Sequence, residues 1–251
     1  MKRLLLCALA LCLCIAPSLA ETMAEGEPLT GALYYPQGSD ATNAGYVLSY
    51  RYPQFIGDEP ATADINAYFA ALAADTAAAG IAAAEDVGEL PPQGSPSFYT
   101  ALEYRVTLAD DDYVSVLLTS SQFLGNSETV RWSAEVFARN GMYAGQGITL
   151  TQAMGLEQAE GEHAEQTSFA AALVYELVWR IITQEQAMLT RAYFPDVSEQ
   201  ALRDAFDPEH DFYLDADGNF VFFIQSGALA TELEGILTYP FALAELLSAA
   251  R

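Results

Sequence analysis

The sequence predicts an α+β fold: an antiparallel meander sheet packed by helices on one face, then a second half with a long helix and a C-terminal β-hairpin. Three observations predict it. Apolar residues alternate with polar ones through 98–108, 113–120 and 130–139, the period-two signature of half-buried strands. Helical spacing governs 61–84 and 167–192. Asp217-Gly218 separates two short aromatic runs as a hairpin turn would. Because the strand signals are hairpins, the class is α+β.

Met1 to Ala20 opens with Lys2 and Arg3, runs apolar from Leu4 to Ala16, breaks at Pro17 and closes on Ser18-Leu19-Ala20, the pattern of a cleavable export signal. The apolar run is shorter than the roughly 20 residues that a bilayer core requires, and no second spanning run is expected later. Residues 21–44 are rich in Gly, Glu, Thr and Ala and read as an acidic, flexible leader, with Leu33-Tyr34-Tyr35 available as a short edge strand. Residues 45–251 form the folded domain, in two halves of about 45–150 and 160–251.

Tyr46 to Tyr52 favours a strand that stops at Pro53. The alanine-rich helix over 61–84 carries one narrow stripe of Ile65, Phe69, Leu72 and Thr76. After a Pro/Gly loop at 85–96, the meander places Phe98, Leu102, Tyr104, Val106 and Leu108 on one face and Glu103, Arg105 and Thr107 on the other; Asp110-Asp111-Asp112 turns the chain. Trp132, Ala134 and Val136 oppose Arg131, Ser133, Glu135 and Arg139, so one sheet face is apolar and one wet, with Tyr99, Tyr113 and Phe137 directed away from the apolar face. In the second half, Phe169, Leu173, Leu177, Ile181 and Met188 define the buried side of the long helix, Glu176 and Arg180 pair along it, Pro195 ends it, and Ser198 caps a short helix to Phe206. Strand, Pro240 and a last helix close the chain.

Cys7, Cys12 and Cys14 all fall inside the signal, so the exported chain carries no thiol for a disulfide or a metal. Taking Lys2 and Arg3 from the ten basic residues leaves eight, all arginine, against 34 acids, a formal balance of −26. Such a surface repels nucleic acid; it keeps an exported protein dispersed and, in company with other evidence, steers basic partners toward it. No catalytic, cofactor or metal residue stands out. His163 and His210 each follow a glutamate without paired-ligand spacing, Gly145-Gln146-Gly147 lacks the third glycine of a dinucleotide loop, and no serine sits in a nucleophile elbow. Asp215, Asp217 and Asn219 imitate the start of a calcium loop, but Ser226 stands where its closing glutamate belongs. Carboxylates are the only abundant reactive groups, which leaves a two-carboxylate glycan hydrolase as an alternative.

The run Phe212-Tyr213-Leu214-Asp215, Gly218-Asn219-Phe220-Val221-Phe222-Phe223, Gln225-Ser226-Gly227-Ala228-Leu229-Ala230, Gly235 and Tyr239-Pro240-Phe241 resembles the end of the extracellular domain of RsiV-type lysozyme-sensing anti-sigma factors. It is also similar to the non-catalytic N-terminal module of PdaC-like peptidoglycan deacetylases. Tyr52-Pro53-Gln54-Phe55 with Ile65-Asn66 and the strand from Asp112 to Leu118 extend the likeness over roughly residues 45–245. Only Met1 to Arg3 precede the apolar run, and the deacetylase Asp and His motifs are absent. The resemblance therefore implies a stand-alone, non-enzymatic recognition module of the cell envelope, binding lysozyme, another basic protein or a wall component, with its ligand-binding residues unknown. A structural envelope protein is the further alternative.

Overall fold

The computed structural model describes residues 23–92, 95, 97–157 and 168–249. The proposed signal, with its three cysteines, and His163 lie outside the described residues.

Ten strands and five α-helices form among the described residues. In the first half, β1 (Ala24–Glu25) pairs with β4 (Phe55–Ile56), and a five-stranded sheet runs in the order β2 (Leu29–Tyr35), β3 (Tyr46–Tyr52), β5 (Phe98–Ala109), β6 (Tyr113–Phe123), β7 (Glu128–Ala138). The last three make the expected antiparallel meander. Between β3 and β5, however, the pairing is parallel. Parallel neighbours need a long crossover, and α1 (Pro60–Asp86) supplies it.

The span 21–44 was expected as a flexible leader, yet it contributes β1 and β2. β2 extends four residues upstream of Leu33 because Gly31 lets the ring of Tyr50 lie across it: a Cβ there would meet that ring at 2.1 Å. Met23 is itself buried in the core. Composition hid this strand, since only every second residue needs to be apolar at a sheet edge.

α1 buries Ile65, Phe69 and Ala73 against Tyr52, Phe55, Val114, Val116 and Phe137, while Thr76 meets the Tyr52 hydroxyl at 2.8 Å. Each fully buried large side chain contributes roughly 1.5–3 kcal/mol. By length and composition this helix is also apolar enough to cross a membrane, contrary to the expectation that no such run follows the signal; alanine supplies much of that hydropathy.

The other sheet face is covered by the second half. A three-stranded antiparallel sheet, β8 (Phe212–Leu214), β9 (Phe220–Ile224) and β10 (Leu237–Phe241) in the order β10-β9-β8, packs with α2 (Leu150–Ala153), α3 (Phe169–Met188), α4 (Glu199–Ala205) and α5 (Leu243–Ala249) around Phe212, Phe220, Phe222 and Ile224, and Val136 and Ala138 of β7 join this core. Consequently β6 is not wet on one side: Val114 to Leu118 are buried consecutively, and Phe137, expected to point outward, is 1% exposed beneath α1. Even Ser115 is buried, held because its hydroxyl accepts from the Leu214 amide at 2.9 Å.

The buried stripe of α3 is Ala170, Leu173, Val174, Val178 and Ile182 rather than the expected line to Met188. Apolar residues nearly encircle this helix, so periodicity alone misplaced the face by about one residue per turn. It ends at Met188, with Leu189 left-handed, well before Pro195. Ser198 does cap α4, accepting from Ala201 at 3.2 Å. In the hairpin turn only Gly218 adopts a positive φ, not Asp217 as well.

Candidate functional site

β7 is an edge strand, and its N-terminal part borders a groove of 670 Å³ lined by Glu128 to Trp132, by Gln225 and Ser226 beyond β9, and by Glu232 to Ile236. Three glutamates, Glu128, Glu232 and Glu234, face one arginine, Arg131, along this lining. The groove is open along its length rather than enclosed.

Local chemistry builds each wall. Trp132 is wedged edge-on between Tyr213 and Phe223, with ring centroids 6.4 and 6.0 Å away, which fixes the strand against the second sheet. The Gln225 amide then grips the Trp132 main chain, accepting from its N–H at 3.1 Å and donating to its C=O at 2.7 Å. Glu128 is held by the Tyr99 hydroxyl at 2.8 Å; that bond is the largest cause of the upward shift of the phenol. Opposite, a one-turn 3₁₀ helix (Glu232–Glu234) turns out through Gly235 at φ 68° and anchors to the segment after α3, because Glu234 accepts from the Ala192 amide at 3.0 Å. Its middle residue, Leu233, is 98% exposed. A rigidly mounted leucine between two glutamates, fully in water, is an unusual use of an apolar side chain.

Two further polar clusters flank the halves. Tyr68 of α1 donates to Glu135 of β7 at 2.5 Å; burial lifts the Glu135 carboxyl above its usual range, against the Tyr68 bond and the nearby His210. Asp211 is raised too, first by burial. Near the end of α3, Tyr193 donates to Glu185 at 2.5 Å and meets Tyr239 at 3.0 Å, with Arg191 3.6 Å from Glu185.

The arginines expected on a wet sheet face are separated by the fold. Arg131 lines the groove, while Arg139 is withdrawn, with a 4% exposed side chain bonded to Glu59 at 3.0 Å and to the Asp110 carbonyl. Glu103 pairs with Arg51 at 3.5 Å instead. His210 is exposed at the surface. Gly145-Gln146-Gly147 forms a turn against the end of β7, where a Cβ on Gly145 would meet Asp64 at 2.7 Å. The Asp215 carboxylate is consumed by the amides of Asp217 and Asn219, each at 2.9 Å, and by the Asn219 side chain at 3.0 Å, as a hairpin turn requires. Among the described residues no cluster of three or more His, Cys, Asp or Glu could hold a metal. No groove residue stands out in the sequence as a ligand contact; the signal it carries there is Thr231-Glu232-Leu233-Glu234-Gly235, one leucine between acids before a glycine.

The fold, two stacked sheets with helices on the outer faces, has solved counterparts. It is similar to a DUF3298 family member from Bacteroides fragilis NCTC 9343, with TM-score 0.53 and 13% identity over 90% of this chain and 99% of that one. A DUF3298 family protein from Pseudomonas aeruginosa PAO1 gives TM-score 0.51 and 13% identity over 91% and 94%. No family model matches the sequence, and no curated protein is similar to it. At this identity the likeness establishes the architecture of DUF3298 proteins.

Proposed function

We propose that this chain is an exported, non-catalytic recognition module of the cell envelope, of the RsiV and PdaC type, which holds a basic protein such as lysozyme, or a basic wall-associated ligand, in the acidic groove beside β7. The observation that carries this reading is the groove itself: three glutamates around a braced tryptophan and a leucine that is 98% exposed. Acids steer a cationic partner, and Leu233 with the groove floor supplies the apolar contact that fixes it. The DUF3298 architecture supports the module type.

The test is titration with a basic animal-type lysozyme across a salt series. Saturable binding is expected, weakening as salt shortens the reach of charge to about 10 Å at 0.1 M. Leu233→Ser, which removes an exposed side chain, is expected to weaken binding about 10-fold or more. No saturable binding even at low salt removes the lysozyme reading.

A carboxylate-dependent glycan hydrolase is the second reading, favoured by the raised carboxyls of Glu135 and Asp211, each close enough to His210 to interact with it. It requires turnover of peptidoglycan fragments that Glu135→Gln abolishes; absence of turnover over a broad pH range retires it.

A further inference from the structure

We propose that the groove receives an extended, arginine- or lysine-bearing polypeptide segment as an added strand on the outer edge of β7. This rests on the reading of the groove as the binding face and specifies how it binds.

The direction of the β7 main chain carries the argument. Both polar groups of Trp132 point away from β6, since Gln225 takes them. Farther along, the Val136 carbonyl accepts from Ile148 at 2.8 Å and the Ala138 amide donates to Gln146 at 3.2 Å, on the same outer side. Pairing with β6 runs without a register shift from Phe123↔Glu128 to Tyr113↔Ala138. Every even-numbered residue of β7 therefore turns its N–H and C=O outward. Val130 is one of them, it lies on the groove, and among the described residues its outward groups have no partner.

Gln225 shows what the edge accepts. A primary amide that receives from N–H and donates to C=O of one residue reproduces the pair of bonds that a neighbouring strand makes. The side chain occupies one step of the ladder, and the groove continues from it past Val130 to Glu128. Exposed edges are usually blunted by charged side chains, proline or a bulge; β7 from Glu128 to Ala134 has neither proline nor bulge, and its only charges are Glu128 and Arg131.

Charge selects the occupant. A second copy of the exported chain would bring its own balance of −26 against −26, whereas a cationic segment meets Glu128, Glu232 and Glu234. In strand addition the main chain supplies the affinity and alternate side chains the selectivity.

The experiment uses the peptide acetyl-Arg-Val-Arg-Val-Arg-amide and two analogues N-methylated on alternate residues. The parent is expected to bind saturably and to slow exchange of the Val130 amide. The analogue whose blocked amides face β7 should bind about 10-fold more weakly or worse, with charge unchanged. Val130→Pro, a substitution that an edge strand tolerates, should weaken the parent to the same degree, whereas Val130→Thr should not. Equal binding by parent and both analogues overturns strand addition while leaving a charge-driven groove. Concentration-dependent protection of Val130 without peptide assigns the edge to a second copy and also overturns it. No binding of any peptide at low salt brings down the groove reading as well.

Discussion

Gln225 binds the main chain of Trp132 through both halves of its amide, at 3.1 Å from the N–H and 2.7 Å to the C=O, and so ties the end of β9 to the open edge of β7. These bonds span 93 residues of sequence. Gln225→Ala leaves two main-chain groups without their partner, but at an edge that water reaches, so the expected cost is about 1 kcal/mol rather than a full burial penalty. Gln225→Glu should cost more, because a carboxylate cannot donate and would face the Trp132 carbonyl. Urea denaturation of the three proteins checks the order.

Gly80 sets how closely α1 approaches the sheet. A Cβ there would lie 2.1 Å from Leu48 Cδ2 and 3.1 Å from Leu33 Cδ1. Exposed in a helix, Gly→Ala gains roughly 1 kcal/mol of propensity; overpacking a core costs about 1–3 kcal/mol. At 2.1 Å packing prevails, so Gly80→Ala is expected to lower Tm, and Leu48→Ala combined with it should recover part of the loss.

Glu209 joins the starts of two helices. Its carboxylate accepts from the Thr151 amide at 3.0 Å, the Thr151 hydroxyl at 2.7 Å and the hydroxyl of Ser168, the residue that caps α3. Burial pushes the carboxyl up, yet the bonds from Ser168, Thr151 and Thr149 together outweigh it and hold the group below its ordinary value of 4.5. A depressed folded value means that this stability is present above the ordinary value and is lost as pH falls through the folded one. Glu209→Gln should therefore destabilise at neutral pH by about 1.5–3 kcal/mol, the range for bonds to a charged group, and the gap should close in acid. Denaturation at pH 7 and pH 3 measures both.

The meander, the Asp-Gly hairpin and the Ser198 cap were legible because each is a local rule: alternation, turn chemistry, a hydroxyl before a helix. What stayed hidden depends on distant partners. β2 needed Tyr50 to settle over Gly31, and the parallel β3–β5 pairing needed α1 as a crossover. The candidate groove is less legible still, since Gln225 and Trp132 are unremarkable residue types whose meaning is a 93-residue contact. Net acidity pointed toward a basic partner, but charge counts cannot place Glu128, Glu232 and Glu234 around one groove.

Tyr68 and Glu135 give the opposite pH dependence from Glu209. Glu135 sits under α1 with its carboxyl bonded to the Tyr68 hydroxyl at 2.5 Å, and burial is the largest influence on it, raising it above its ordinary value of 4.5 despite the bond and His210. A carboxyl raised on folding holds its proton in the folded state after the unfolded chain has released it. Its contribution is thus fully present below the ordinary value and is lost as pH rises through the folded value. Tyr68→Phe removes the donor that favours the ionised form, so the Glu135 carboxyl should rise further and the loss should move to higher pH. Water reaches this contact, so the cost at neutral pH is expected near 1 kcal/mol, that of an ordinary net hydrogen bond. Glu135→Gln carries no titrating proton, and the corresponding slope in a plot of stability against pH should vanish. Carbon-detected NMR titration of the Glu135 carboxyl in wild type and Tyr68→Phe measures the shift directly; an unchanged or lowered value in the variant would mean that the hydroxyl does not stabilise the anion.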